Sequence, residues 1–167
     1  MVTAAPKKKG PANKRWMATI GRYKLAWSPK KTWTEDGYQV TMYNLKGREE
    51  DGYYPKGRPP LLMLPGMFDD AASWLEKQTP LALDWGPMPI MLQLADAGYD
   101  VWVGNVRGTE YATEHKTLKH ILPDYWNFTW DDIARYDIPA MMNLMKAATK
   151  QEKIFFMGYS HGATAMI

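Results

Sequence analysis

Ser160 stands at the centre of Gly158-Tyr159-Ser160-His161-Gly162. The apolar run Ile154-Phe155-Phe156-Met157 precedes it, and the small residues Ala163-Thr164-Ala165 follow. A Gly-x-Ser-x-Gly pentapeptide between a buried strand and a starting helix is the setting of a nucleophile elbow, a tight turn that lifts a serine hydroxyl above a sheet. Such a turn strains the serine backbone. Gly158 and Gly162 suit it because a Cβ at either position would collide with the close strand and helix. The chemistry available is attack on a carbonyl carbon, with the first amides of the following helix facing the oxyanion that forms.

A second stretch suits the same chemistry. Leu61-Leu62-Met63-Leu64 is apolar at every position, as expected of a parallel strand buried on both faces, and it runs straight into Pro65-Gly66-Met67-Phe68-Asp69-Asp70. A Gly at the carboxyl end of a central strand lets the chain turn with its amides exposed, and open α/β sheets place their sites at that edge. A plain strand-to-helix turn explains the same residues without any function. The elbow gives the first reading its weight.

The elements that must position these two stretches alternate along the chain. Thr34-Glu35-Asp36-Gly37 is a turn, and Tyr38–Leu45 alternates as a half-exposed antiparallel strand. Lys46–Pro60 is charged and rich in Gly and Pro, so a surface loop is expected. Pro89–Ala97 carries an apolar stripe at Ile90, Met91, Leu94 and Ala95, closed by Gly98, and predicts a helix. Asp100–Val103 is the next strand. Thr129 and Asp132 form a capping box for a long helix that Pro139 kinks or splits near Asp137. Its Met141-Leu144-Met145 stripe is core. Arg15–Leu25 has no clean period. The resulting fold class is α/β: a mostly parallel sheet with flanking helices, preceded by an antiparallel hairpin.

Composition narrows the function. A chain of 167 residues with 46% hydrophobic and 23% charged residues suits one globular domain with a real core. The absence of Cys excludes disulfides, thiolate nucleophiles and Cys-ligated metals, and favours an intracellular or organellar setting over secretion. No secretory h-region and no apolar run of about 20 residues is present, so neither a signal peptide nor a transmembrane segment is expected. The first 34 residues carry nine Lys or Arg and no acid, which leaves the remainder at a net charge of −6. Residues 1–32 are therefore expected as a basic, partly disordered arm: a solvated tail, a docking arm for an acidic partner, or an organellar (for instance mitochondrial) targeting segment. An acidic body excludes nucleic acid as a partner. His115 and His120 lie in a charged loop without a third ligand and read as surface residues, so no metal and no cofactor is expected.

Several strings together resemble the acid lipases of the gastric and lysosomal type, within the α/β-hydrolase fold. They are Thr34-Glu35-Asp36-Gly37-Tyr38, Leu94-Ala95-Asp96-Ala97-Gly98-Tyr99-Asp100-Val101-Trp102, Gly104-Asn105 with Arg107-Gly108, Trp126-Asn127-Phe128-Thr129-Trp130-Asp131, Tyr136-Asp137-Ile138-Pro139-Ala140, and the elbow. The likeness spans residues 33–167 and implies the N-terminal half of such a hydrolase. It implies a lipid-ester substrate, an acylglycerol or sterol ester, with Ser160 as nucleophile and the backbone amides of Met67 and His161 as oxyanion donors. Pro65, Met67, Tyr159 and His161 depart from the residues usual there.

In this fold the triad runs Ser, then Asp or Glu, then His. Only seven residues follow Ser160, none acidic, and His161 is the one histidine among them. Its side chain is expected to point away from the serine hydroxyl. The 167 residues alone are expected to be inactive, with the sheet edge beyond the elbow strand open. The expectation is a fragment of a longer enzyme, a partner chain that completes it, or a non-catalytic hydrolase-derived subunit of a larger assembly.

Overall fold

Leu61–Leu64 is apolar throughout because it lies in the middle of a sheet. The computed structural model describes residues 14–48, 50–75 and 88–166. In chain order the elements are α1 (Lys14–Arg22), β1 (Leu25–Trp33), β2 (Gln39–Arg48), β3 (Gly52–Tyr53) and β4 (Pro60–Leu64), then a 3-10 turn at Ala71–Leu75, α2 (Ile90–Asp96) and β5 (Asp100–Asn105). A 3-10 turn at Pro123–Trp126 leads to α3 (Trp130–Asp132), a π turn (Ile133–Asp137), α4 (Ile138–Thr149), β6 (Phe155–Gly158) and α5 (His161–Thr164). The main sheet order is β1-β2-β5-β4-β6, with β3 on the far end of β2. β1, β2 and β5 pair antiparallel, while β4 runs parallel to both β5 and β6. The α/β class, the flanking helices and the preceding hairpin are those read from the sequence, while the sheet expected to be mostly parallel is mixed among the described residues, with parallel pairing confined to β4 and its two neighbours.

Side chains alternate between the two faces as a pleat requires. Tyr43, Leu45, Leu61, Met63, Val101 and Val103 enter one core with residues of α1, α2 and the 71–75 turn. Val40, Met42, Leu62, Leu64 and Trp102 enter the other, against Ile138, Met141 and Met145 of α4.

Four local expectations need correction. Tyr38–Leu45 was expected to be half exposed, but β2 is buried along both faces because β1 and β5 flank it and both cores cover it. Its polar inward residues find partners: Thr41 Oγ1 donates to Tyr111 O at 2.8 Å, and Asn44 Nδ2 to Asp100 Oδ1 at 2.7 Å, although Asn44 Oδ1 is buried without one. The loop expected over Lys46–Pro60 carries the end of β2 and the short β3. Of the basic, partly disordered arm expected over 1–32, residues 1–13 lie outside the described residues, while from Lys14 onward the chain forms α1 and β1, with Trp16 and Ile20 buried in the core. The elbow strand, expected to be buried, is half exposed, with Phe155 at 53%, because β4 is its only neighbour among the described residues.

Pro139 does what its ring dictates. It sits in the first turn of α4, where its missing N–H costs little, and the irregular π turn lies directly before it. The Thr129 N–H donates to the Asp132 carboxylate at 2.7 Å, the capping interaction expected there. No described helix is long and apolar enough to cross a membrane.

Candidate active site

Ser160 has φ 50° and ψ −119°. That is the corner a glycine takes at the first central position of a type II′ turn, and an L side chain enters it only under strain. The strain is imposed from both sides. A Cβ on Gly158 would lie 2.5 Å from the Ala163 backbone, and one on Gly162 would lie close upon the Leu64 and Pro65 carbonyl oxygens. The chain therefore turns tightly from β6 into α5, and Ser160 at the corner is exposed.

The loop after β4 meets this corner. The Tyr159 N–H donates to Leu64 O at 3.1 Å, and the Gly66 Cα is close enough to the Tyr159 ring and the Ser160 Cβ that a side chain there would crowd both. Gly66-Met67-Phe68-Asp69 is a turn closed by the Asp69 N–H to Gly66 O at 3.2 Å. Phe68 holds φ 63° and is fully exposed, the backbone signature of a type II turn at its third residue. No described residue accepts a hydrogen bond from the Met67 or the His161 N–H. Both amides are on the two segments that Gly66 and Gly162 press together.

A cavity of about 600 Å³ opens beside them, floored by Gly66, Met67, His161 and Gly162 and walled by Phe128 and Trp130. Its mouth is apolar: Met67, Phe68, Trp126 and Trp130 are all largely exposed. A cleft that is mostly apolar, with Asp69, Asp70 and Glu110 also in its lining, beside two unengaged amides and one residue from Ser160, suits an acyl chain with its carbonyl at the sheet edge.

His161 does not face the serine hydroxyl as a base would. Its ring lies on Trp130, with centroids 4.5 Å apart, and its Nε2 is buried without a partner. Burial holds the imidazole below its ordinary value. Because the folded ring resists protonation while the unfolded one accepts it near 6.5, stability is full at neutral pH and falls as pH drops below that value through the folded pKa. A melting-temperature profile should show this loss in the wild type and not in His161→Gln; equal profiles would show that the ring is not buried as described.

The strings that made the chain recognisable converge behind the site. Arg107 and Asp137 have fully buried side chains. Asp137 accepts from the Arg107 N–H and Nε at 2.8 Å each, and Arg107 Nη1 donates to Asp36 Oδ2 at 2.6 Å. The guanidinium also lies 4.0 Å from the centre of the Tyr38 ring. Burial pushes the Asp137 carboxyl up to about 6 against the pull of Arg107. Burial also opposes charge on Asp36, yet the hydrogen bonds from Arg107 and Thr34 outweigh it and hold that carboxyl below 3.8. The sequence contained all four residues, but nothing in their spacing foretold that they meet.

His115 is structural. Its Nδ1 accepts from the Thr117 and Leu118 N–H groups at 3.0 and 2.9 Å, which makes Nε2 the protonated nitrogen facing Asp36 O. Among the described residues no group of three His, Asp or Glu is placed to hold a metal ion.

Residues 59–166 match the family described as alpha/beta hydrolase fold. The chain is 35% identical over 133 residues to the human lysosomal acid lipase/cholesteryl ester hydrolase, covering 78% of this chain and 31% of that protein. It is 35% identical over 131 residues to mouse lipase member M, covering 78% and 29%, and 32% identical over 134 residues to the Caenorhabditis elegans lipase lipl-3, covering 80% and 31%. The chain thus spans under a third of the length of these relatives. An esterase of Pyrococcus furiosus shares the fold, with a TM-score of 0.58, 16% identity, and 98% of this chain and 51% of that one covered.

Proposed function

The chain belongs to the alpha/beta hydrolase fold family, and we propose that it carries the nucleophile and oxyanion amides of a lipid-ester hydrolase. The observation behind this reading is the Ser160 corner, a strained serine at the carboxyl end of β6, in the parallel part of the sheet. Ser160 Oγ attacks the acyl carbonyl carbon while its proton passes to a base. The carbonyl π electrons move onto oxygen, and the Met67 and His161 N–H groups donate hydrogen bonds to the oxyanion so formed. Collapse expels the alcohol, which takes up the proton, and water then releases the acyl group by the same route. The base and its orienting acid come from outside these 167 residues, from further chain or from a partner. The lipase names of the relatives support an acylglycerol or sterol ester as substrate. One relative is named for the lysosome, which supports that compartment over mitochondrial targeting, one of the readings open for the basic residues.

The test is a fluorophosphonate probe applied to the native protein purified with every chain that accompanies it. Modification of Ser160, located by peptide mass, is the expected result. An intact but unmodified Ser160 would make the chain a non-catalytic subunit. The oxyanion assignment has its own check. Met67 occupies the second position of the Gly66–Asp69 turn, where proline is well tolerated. Met67→Pro therefore removes the N–H, while Met67→Ala removes the side chain from the cleft and keeps the N–H; kcat should fall about 10²–10³-fold in the proline variant beyond any change in the alanine one. Equal kcat in the two variants would remove the Met67 amide from the mechanism.

A further inference from the structure

The loop that carries the Met67 amide is held from one side by the elbow, and what holds its other side lies in the basic N-terminal region. The tip contributes no packing, since Phe68 is fully exposed. Beyond the tip, Asp70 Oδ1 accepts from the Ala72 N–H at 2.7 Å, and the Ala71 N–H donates to the buried Asn105 Oδ1 at 3.0 Å. Arg15 of α1 reaches the same place from 55 residues earlier, with Nη1 at 3.3 Å from Asp70 Oδ2 and 3.6 Å from Asp69 Oδ1. Its helix is firmly rooted. Trp16 and Ile20 are in the core, and Thr19 Oγ1 donates to Arg15 O at 2.7 Å.

We propose that Arg15 is a positioning residue, which fixes the Met67 amide against Ser160 by clamping Asp69 and Asp70; this rests on the ester-hydrolase reading above. The charges explain why a clamp is needed. Asp69 and Asp70 are adjacent acids at the end of a loop with an exposed tip. Burial raises the Asp70 carboxyl, and Asp69 and Glu110 push it the same way, while the hydrogen bond from the Ala72 N–H and then the charge of Arg15 oppose them. Removing the guanidinium leaves like charges facing each other, and the loop relieves them by moving outward, carrying Met67 with it. The Arg15 side chain is 39% exposed, so the clamp is open to screening by salt. Its effect reaches the chemistry because an oxyanion donor works only at hydrogen-bond distance.

Two readouts on the full protein with its accompanying chains decide the matter: the rate at which a fluorophosphonate modifies Ser160, and hydrogen exchange at the Asp69 and Asp70 amides, which are hydrogen-bonded to Gly66 O and Asp69 Oδ1. In Arg15→Ala the labelling should slow about tenfold, a part of the loss expected for a missing donor, and exchange should speed by about the same factor. Arg15→Lys should recover most of both. Arg22→Ala, an exposed cation on the same helix, should change neither. In about 1 M salt the wild type should slow toward the alanine variant, which itself should be indifferent to salt. Labelling at the wild-type rate in Arg15→Ala overturns the proposal, and so does slowed labelling with unchanged exchange, since the effect would not then pass through the loop. If wild-type Ser160 is inert, the hydrolase reading fails and this proposal with it. If wild-type Ser160 reacts and Arg15→Ala reacts equally, the proposal alone fails.

Discussion

Replacing Ser160 with alanine should abolish ester hydrolysis and fluorophosphonate labelling, and replacing it with glycine should do the same while making the protein more stable. The activity loss should be about 10⁶-fold, the scale of removing a triad nucleophile. The stability difference follows from the backbone. At φ 50° and ψ −119° any L residue is strained, and such strain costs about 1–3 kcal/mol. Alanine keeps the Cβ and therefore the strain. Glycine relieves it, offset by about 0.5–1 kcal/mol of extra chain entropy in the unfolded state. A net gain of about 1 kcal/mol, or roughly 2–4 °C in melting temperature for a chain of this size, is the expected result for Ser160→Gly against Ser160→Ala. The pairing matters because the two variants lose the same hydroxyl. Equal stability would mean the corner is unstrained, and the elbow reading would lose its physical basis even if both variants were inactive.

That corner was legible because its cause is local. Two glycines at fixed spacing, an apolar run before them and small residues after them specify a tight turn, and the collisions that a Cβ would make at Gly158 and Gly162 are the reason. The continuous apolar run at Leu61–Leu64 gave away the middle of the sheet for an equally local reason. The expectation of a half-exposed β2 fails because alternation reports polarity and not burial: Thr41 and Asn44, on opposite faces, are both buried and donate hydrogen bonds to Tyr111 O and Asp100 Oδ1. The helix at Lys14–Arg22 was missed since its sequence mixes Trp16 and Ile20 with three basic residues, and only packing decides which face wins. Arg15 against Asp69 and Asp70 was beyond reach altogether. Nothing in a basic segment announces which acids, 55 residues on, it will find.

Arg107→Ala should destabilise the fold by about 3–5 kcal/mol, the usual consequence of leaving a buried carboxylate without its partner. The guanidinium is engaged by two carboxylates and lies on the Tyr38 ring, and the side chains of both Arg107 and Asp137 are wholly inaccessible. Arg107→Lys should recover little, because a point charge cannot bridge Asp36 and Asp137 at once as the planar fork does. The loss should also depend on pH. Burial already raises Asp137 to about 6 with the guanidinium present. A carboxyl whose folded pKa is raised contributes fully below its unfolded value near 3.8 and loses that contribution as pH rises through the folded pKa. Without Arg107 the carboxyl rises further, so the variant should be closer to wild type at pH 5 than at pH 8. Replacing both partners, as in Arg107→Met with Asp137→Leu, removes the stranded charge and should cost clearly less than Arg107→Ala alone. Urea titrations of the three variants at both pH values would settle it. A loss under about 1 kcal/mol for Arg107→Ala at pH 8 would mean that water reaches Asp137 and that the cluster is not the buried hub joining Thr34–Tyr38, Arg107 and the π turn. The fork of Arg107 ties the β1–β2 turn, through Asp36, to the start of α4, through Asp137, so the variant tests a link between two elements distant in sequence.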